Sequence, residues 1–82
     1  MSLNRIEVPI EEVTPAGLLQ LVGSHDIVAV DGWSLIQDEA GIWMTNPYGV
    51  DVGLVDPSEE QCGFVIDSIR NSARLEREWG HL

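Results

Sequence analysis

The chain contains no lysine, and only four arginines stand against fourteen acids, for a net charge of −10. A basic footprint for phosphates is therefore missing, which argues against direct nucleic-acid binding. Attraction to anionic membrane surfaces is opposed for the same reason. Cysteine is represented by Cys62 alone, so neither an internal disulfide framework nor a multi-cysteine metal site is available. No apolar run approaches the roughly 18 residues that a membrane-spanning helix requires. The opening Met1-Ser2-Leu3-Asn4-Arg5 lacks the apolar stretch of a signal peptide, and the expected compartment is the cytoplasm.

What remains suits a small packed protein. Of 82 residues, 44% are hydrophobic, with a mean hydropathy of +0.02, enough for a core and against general disorder. The expectation is one domain spanning residues 1–82. Such a chain buries only about 60–65% of its unfolded surface, so self-association would add stability. The acids are unevenly placed: no lysine or arginine lies between Ile6 and Ile69, while twelve acids do. Arg70, Arg74 and Arg77 cluster near the C-terminus.

Ile6-Glu7-Val8-Pro9-Ile10 alternates like a short strand, and Pro9, lacking an N–H, sends it to a sheet edge. Thr14-Pro15 opens a helix by a hydroxyl cap followed by proline at the first helical position. Leu18, Leu19, Leu21 and Val22 are its core candidates, and Gly23 a candidate C-terminal cap. Ile27-Val28-Ala29-Val30 reads as a buried strand. Gly32 reads as a bulge or bend within it, before Trp33-Ser34-Leu35-Ile36-Gln37 continues. A turn at Asp38-Glu39-Ala40-Gly41 leads into the return strand Ile42-Trp43-Met44-Thr45, and a turn at Asn46-Pro47-Tyr48-Gly49 into the last strand, Val50 to Val55. Asp56-Pro57-Ser58-Glu59-Glu60 starts a long helix from about Pro57 to Trp79. Its apolar stripe is Cys62, Val65, Ile66, Ile69 and Ala73, with Phe64 flanking and Leu75 and Trp79 on a separate line.

If both hairpins close with three-residue loops and a glycine bulge, Ile36 opposes Met44, Met44 opposes Val52, and Ile42 opposes Leu54. One face then carries Ile36, Ile42, Met44, Val50, Val52 and Leu54, the surface for the long helix. The other carries Trp33, Leu35, Trp43, Thr45, Asp51, Gly53 and Val55, with Trp43 across from Gly53. The expected fold is two-layer α+β: an antiparallel meander of three to four strands, a long C-terminal helix on one face, and a short N-terminal helix.

Chemistry is sparse. Cys62 reads as a small buried hydrophobe, with His25 and His81 the only histidines. His25-Asp26 has no second histidine at ligand spacing. Asp31, Asp51 and Asp56 read as turn and strand-end residues, with no calcium-loop pattern. No catalytic, cofactor-binding or metal-binding residue is assigned, and no cofactor is expected. Val13-Thr14-Pro15-Ala16-Gly17-Leu18-Leu19 through Ile27-Val28-Ala29-Val30-Asp31 resembles the opening helix and strand of rhodanese-type sulfurtransferase domains. Under a quarter of the chain takes part. Cys62-Gly63-Phe64-Val65 does not supply that family's active-site loop, which needs glycine and arginine after its cysteine, so no residue role is carried over.

These features favour a small acidic, non-catalytic accessory or interaction protein acting through an acidic and aromatic surface. Trp33, Leu35, Trp43 and Val55 form the expected interface, left open unless the first helix covers it. A homodimer that strengthens with salt is expected, with Trp33 or Trp43 in its interface. A basic protein is the other candidate partner. The alternative is an antitoxin-, immunity- or anti-defence-type inhibitor that covers a basic nucleic-acid-binding site on a partner. A small enzyme of unknown reaction ranks third.

Overall fold

The computed structural model describes the backbone of residues 4–79 and the side chains of residues 4–72. Strand β1 (Arg5–Val8) is followed by a 3-10 turn (Ile10–Glu12) and helix α1 (Pro15–Ser24). Strands β2 (Ile27–Val30), β3 (Trp33–Asp38), β4 (Gly41–Thr45) and β5 (Asp51–Val55) come next, then helix α2 (Glu59–Trp79). The strands form one sheet in sequential order, β1-β2-β3-β4-β5. Strand β1 pairs parallel to β2, which the intervening helix makes possible, and the remaining pairs are antiparallel. The architecture is α+β, as the patterning indicates, but with five strands rather than three to four.

The additional strand comes from Asp31-Gly32. Both residues take positive φ, 49° and 87°, and Val30 pairs with Trp33 across them. This is a two-residue hairpin turn in the conformation that Asp-Gly favours, not a bulge inside a continuing strand.

The capping signals at the helix starts hold, although α2 begins at Glu59 and not at about Pro57. The Thr14 hydroxyl accepts from the Gly17 N–H at 3.1 Å, with Pro15 in the first turn. A Cβ on Gly17 would lie 2.9 Å from that hydroxyl, so glycine here leaves room for the cap. Helix α1 continues past Gly23 to Ser24, with His25 as its C-cap. The Ser58 hydroxyl accepts from the Gln61 N–H at 3.2 Å, opening α2.

Both helices lie on one face of the sheet and pack side by side. Between them and the sheet are Leu18 and Val22 of α1, Cys62, Val65, Ile66 and Ile69 of α2, and Val28, Val30, Leu35, Ile42 and Met44 of the strands. Phe64 is exposed beside this stripe. The side chains of Ala73, Arg74, Leu75, Arg77 and Trp79, and the whole of His81, lie outside the described residues.

The register departs from expectation at two points. At the β3–β4 turn Asp38 pairs with Gly41 and Ile36 with Trp43, so the loop is Glu39-Ala40 and one residue shorter than expected. At the β4–β5 turn the expectation holds at first. The Asn46 N–H donates to the Val50 carbonyl at 2.9 Å, and the Asn46 side-chain oxygen accepts from the Tyr48 and Val50 N–H groups at 3.0 Å each. Then Thr45 pairs with Asp51 but Met44 with Gly53, an irregularity that inserts one residue into β5. Beyond it Trp43 pairs with Leu54 and Ile42 with Val55.

Each shift by one residue exchanges the faces of a strand. Ile42 and Met44 face the helices, as expected. Ile36, Val52 and Leu54 do not; they are exposed on the opposite face. Leu35 is fully buried, while Trp33 and Val55 are partly buried against the core. Gly53 is covered by the Met44 sulfur, 3.8 Å from where a Cβ would stand, and not by Trp43.

Candidate interaction surface

With both helices on one side, the other side of the sheet has no covering layer among the described residues. Its centre is a cross-strand row, Ile36–Trp43–Leu54, fixed by the β3–β4 and β4–β5 pairings. Ile36 is 41% exposed, Trp43 37% and Leu54 44%, with Val52 beside them at 50%. The parallel row toward the other end is more polar: Glu7–Ala29–Ser34–Thr45–Asp51.

Trp43 is held in place. Its indole N–H donates to the Asp38 carboxylate at 2.8 Å, because Asp38 and Trp43 share this face at the turn. The other Asp38 oxygen accepts from the Ala40 N–H at 2.8 Å and braces the turn. On the far side of Trp43 along β4, the Thr45 hydroxyl donates to Asp51 at 2.9 Å. Carboxylates thus flank Trp43 on both sides along the strand direction. A further acid on this face, Glu7, pairs with Arg5 at 3.1 Å.

The four residues expected to share an interface are therefore divided between faces. Trp43 is on the open surface. Leu35 is in the core and unavailable, and Trp33 and Val55 pack on the helix side. Beside Trp43 on that face stand Ile36, Val52, Leu54 and the tethering Asp38, residues that the patterning assigned to the core face or to a turn.

Several other polar groups hold the fold together. The Nδ1 of His25 lies 3.2 Å from the Leu21 carbonyl and 3.1 Å from the Ser24 hydroxyl, at the end of α1. Asp26 accepts from the Asn4 N–H at 2.8 Å and ties β1 to the start of β2. Asp31 lies in the hairpin turn, and the Asp56 carbonyl accepts from the Ser58 N–H ahead of α2. Among the described residues no three His, Cys, Asp or Glu side chains converge as a metal site would require. No described helix is long and apolar enough to cross a membrane.

Cys62 is enclosed within the helix–sheet core. Burial pushes its thiol pKa up, and the Glu59 carboxylate adds to the shift. The thiolate that would react is thus disfavoured. Iodoacetamide at pH 8 is expected to modify native Cys62 at least about 100-fold more slowly than in urea, because labelling waits on opening of the core. Comparable rates with and without urea would contradict an enclosed thiol.

No family model matches the chain, and no curated protein or solved structure matches it. The local likeness to the opening of rhodanese-type domains extends to a helix leading into a strand and no further. The strands after β2 return as antiparallel hairpins, and Cys62 stands buried inside α2 rather than at the head of a loop.

Proposed function

We propose that this chain is a non-catalytic interaction protein whose binding surface is the open sheet face around Trp43, and that its partner there is a basic protein. The observation that carries the reading is the placement of Trp43 on the uncovered face with its indole clasped by Asp38. Tryptophan is among the residues that dominate interface energetics, and a side chain already held in one rotamer loses less entropy on binding. The surrounding charge selects the partner. A chain of −10 with no lysine draws basic proteins and repels acidic ones. The same charge supports a second reading, an inhibitor that occupies a basic nucleic-acid-binding site on its target. Competition between the chain and nucleic acid for the captured protein separates that reading from simple accessory binding.

The test is affinity capture from the source cells with wild-type and Trp43→Ala chains, each shown to be folded by circular dichroism. A basic protein is expected on the wild-type chain at about 50 mM salt and is expected to be released near 0.5 M, where charges are screened within about 4–5 Å. Trp43→Ala is expected to weaken its binding by at least about 2 kcal/mol, roughly 30-fold. Equal capture by both chains would remove Trp43 from the binding surface and overturn the proposal.

A further inference from the structure

The Trp43 ring lies along the sheet between two carboxylates. Asp38 sits on the neighbouring strand, two residues toward the turn, where it pairs with Gly41. The indole leans that way to place its N–H 2.8 Å from the Asp38 carboxylate. An indole N–H points outward in the plane of the ring, so Asp38 stands at the rim and not over a face, and the ring stays 37% exposed. In the other direction Asp51 stands opposite Thr45, about 6–7 Å from Trp43 along the strand at roughly 3.3 Å per residue. Protein donors orient both groups: the Ala40 and Trp43 N–H groups on Asp38, the Thr45 hydroxyl on Asp51. A carboxylate has about four acceptor sites, so Asp38 keeps capacity for a further donor. Neither described arginine answers this charge. Arg5 pairs with Glu7 on the edge strand β1, and Arg70 belongs to α2, on the other side of the sheet.

We propose that an arginine of the basic partner lies flat on Trp43, its guanidinium over the indole and its N–H groups toward the Asp38 carboxylate. The proposal rests on the open-face reading above and names the side chain by which that face selects its partner. An aromatic ring turns a negative face to a cation. Donating its N–H to a carboxylate polarises the indole and deepens that attraction. Arginine suits the arrangement better than lysine. A guanidinium is planar, so it stacks on a ring while its donors project in its own plane past the ring's edge, where Asp38 stands. A lysine ammonium is a compact, strongly hydrated point charge that gains nothing from stacking. Ile36 and Leu54 flank Trp43 across the strands and offer apolar cover to the arginine stem. Asp51 lies within the screening length of about 8 Å at physiological salt and adds attraction from the other side.

The test is a nuclear magnetic resonance titration of the isotope-labelled whole chain with hexa-arginine and, separately, hexa-lysine, peptides of equal charge, at about 50 mM salt. The Trp43 indole N–H resonance, assigned by its loss in Trp43→Leu, reports on the site. Hexa-arginine is expected to move it and to bind at least about 5-fold more tightly than hexa-lysine. Trp43→Leu keeps the charge and an apolar side chain, and is expected to bring the two peptides within about 2-fold of each other. Asp38→Asn is expected to narrow the preference likewise. Asp67→Asn, an equal change of charge on the exposed side of α2, is expected to weaken both peptides alike and keep the preference. In the wild-type complex, nuclear Overhauser contacts are expected between the Trp43 ring and arginine side-chain methylenes. That measurement needs no variant and decides the matter where a variant misfolds: its absence at saturation overturns the proposal. Equal binding of the two peptides with movement of Trp43 overturns the arginine and leaves the open face as a site for basic partners. An arginine preference that survives Trp43→Leu also overturns the proposal. If neither peptide binds, or both bind without moving Trp43, Ile36 or Leu54, the open-face reading falls and the arginine with it.

Discussion

Gly41→Ala is expected to destabilise the protein by roughly 3 kcal/mol or more. Gly41 opens β4 with φ at +140°, a conformation that L side chains rarely adopt. A Cβ there would also lie 2.5 Å from the Val55 carbonyl oxygen. Neither problem has a side-chain remedy: the obstacle is backbone of the neighbouring strand, and moving it would open the β4–β5 pairing. A chain of 82 residues holds about 4–12 kcal/mol in all. The variant is therefore expected to lose much of its stability in urea denaturation, or to be largely unfolded without denaturant. A loss below about 1 kcal/mol would mean that Gly41 does not sit against Val55 and that the β4–β5 register is wrong.

Leu35→Ala and Ile36→Ala are expected to differ sharply although the residues are adjacent. Leu35 is fully buried beside Val28 and Met44, so truncation removes buried methyls and leaves a cavity, at about 2–5 kcal/mol. Ile36 is 41% exposed on the open face, where the same change is expected to cost less than about 1 kcal/mol. The opposite order would hold if the β3–β4 loop had three residues, since Ile36 would then face the helices. Urea midpoints of the two variants distinguish the registers directly. Ile36→Ala also leaves Trp43 in place, so its modest effect separates stability from any role of the open face in binding.

Elements governed by neighbouring residues were legible in the chain. Thr14-Pro15 and Ser58 start helices because their hydroxyls meet backbone N–H groups three residues on. Asn46-Pro47-Tyr48-Gly49 closes as read because one asparagine oxygen gathers two N–H groups. The stripe from Cys62 to Ile69 lies on the core at helical spacing. Asp31-Gly32 was legible too, as a dipeptide that turns strands back. The apolar runs on either side of it nevertheless resemble one interrupted strand.

The sequence by itself determined the α+β class, the order of its main elements, the net charge of −10 and the inward alternation of Ile42 and Met44. The tertiary structure alone decided which faces of β3 and β5 meet the helices. Both strands carry apolar side chains on each face, Leu35 beside Ile36 and Val55 beside Leu54, so either register yields an apolar row. Asp38-Glu39-Ala40-Gly41 is compatible with a loop of two residues or three. The choice depends on distant partners: Leu35 fills the core beside Val28 and Met44, and Gly41 fits against the Val55 carbonyl. The inserted residue in β5 then brings Val55 to the inner face opposite Ile42. Those packing terms, absent from any local window, place Trp43 among Ile36 and Leu54 on the open face and bury Leu35 beneath it.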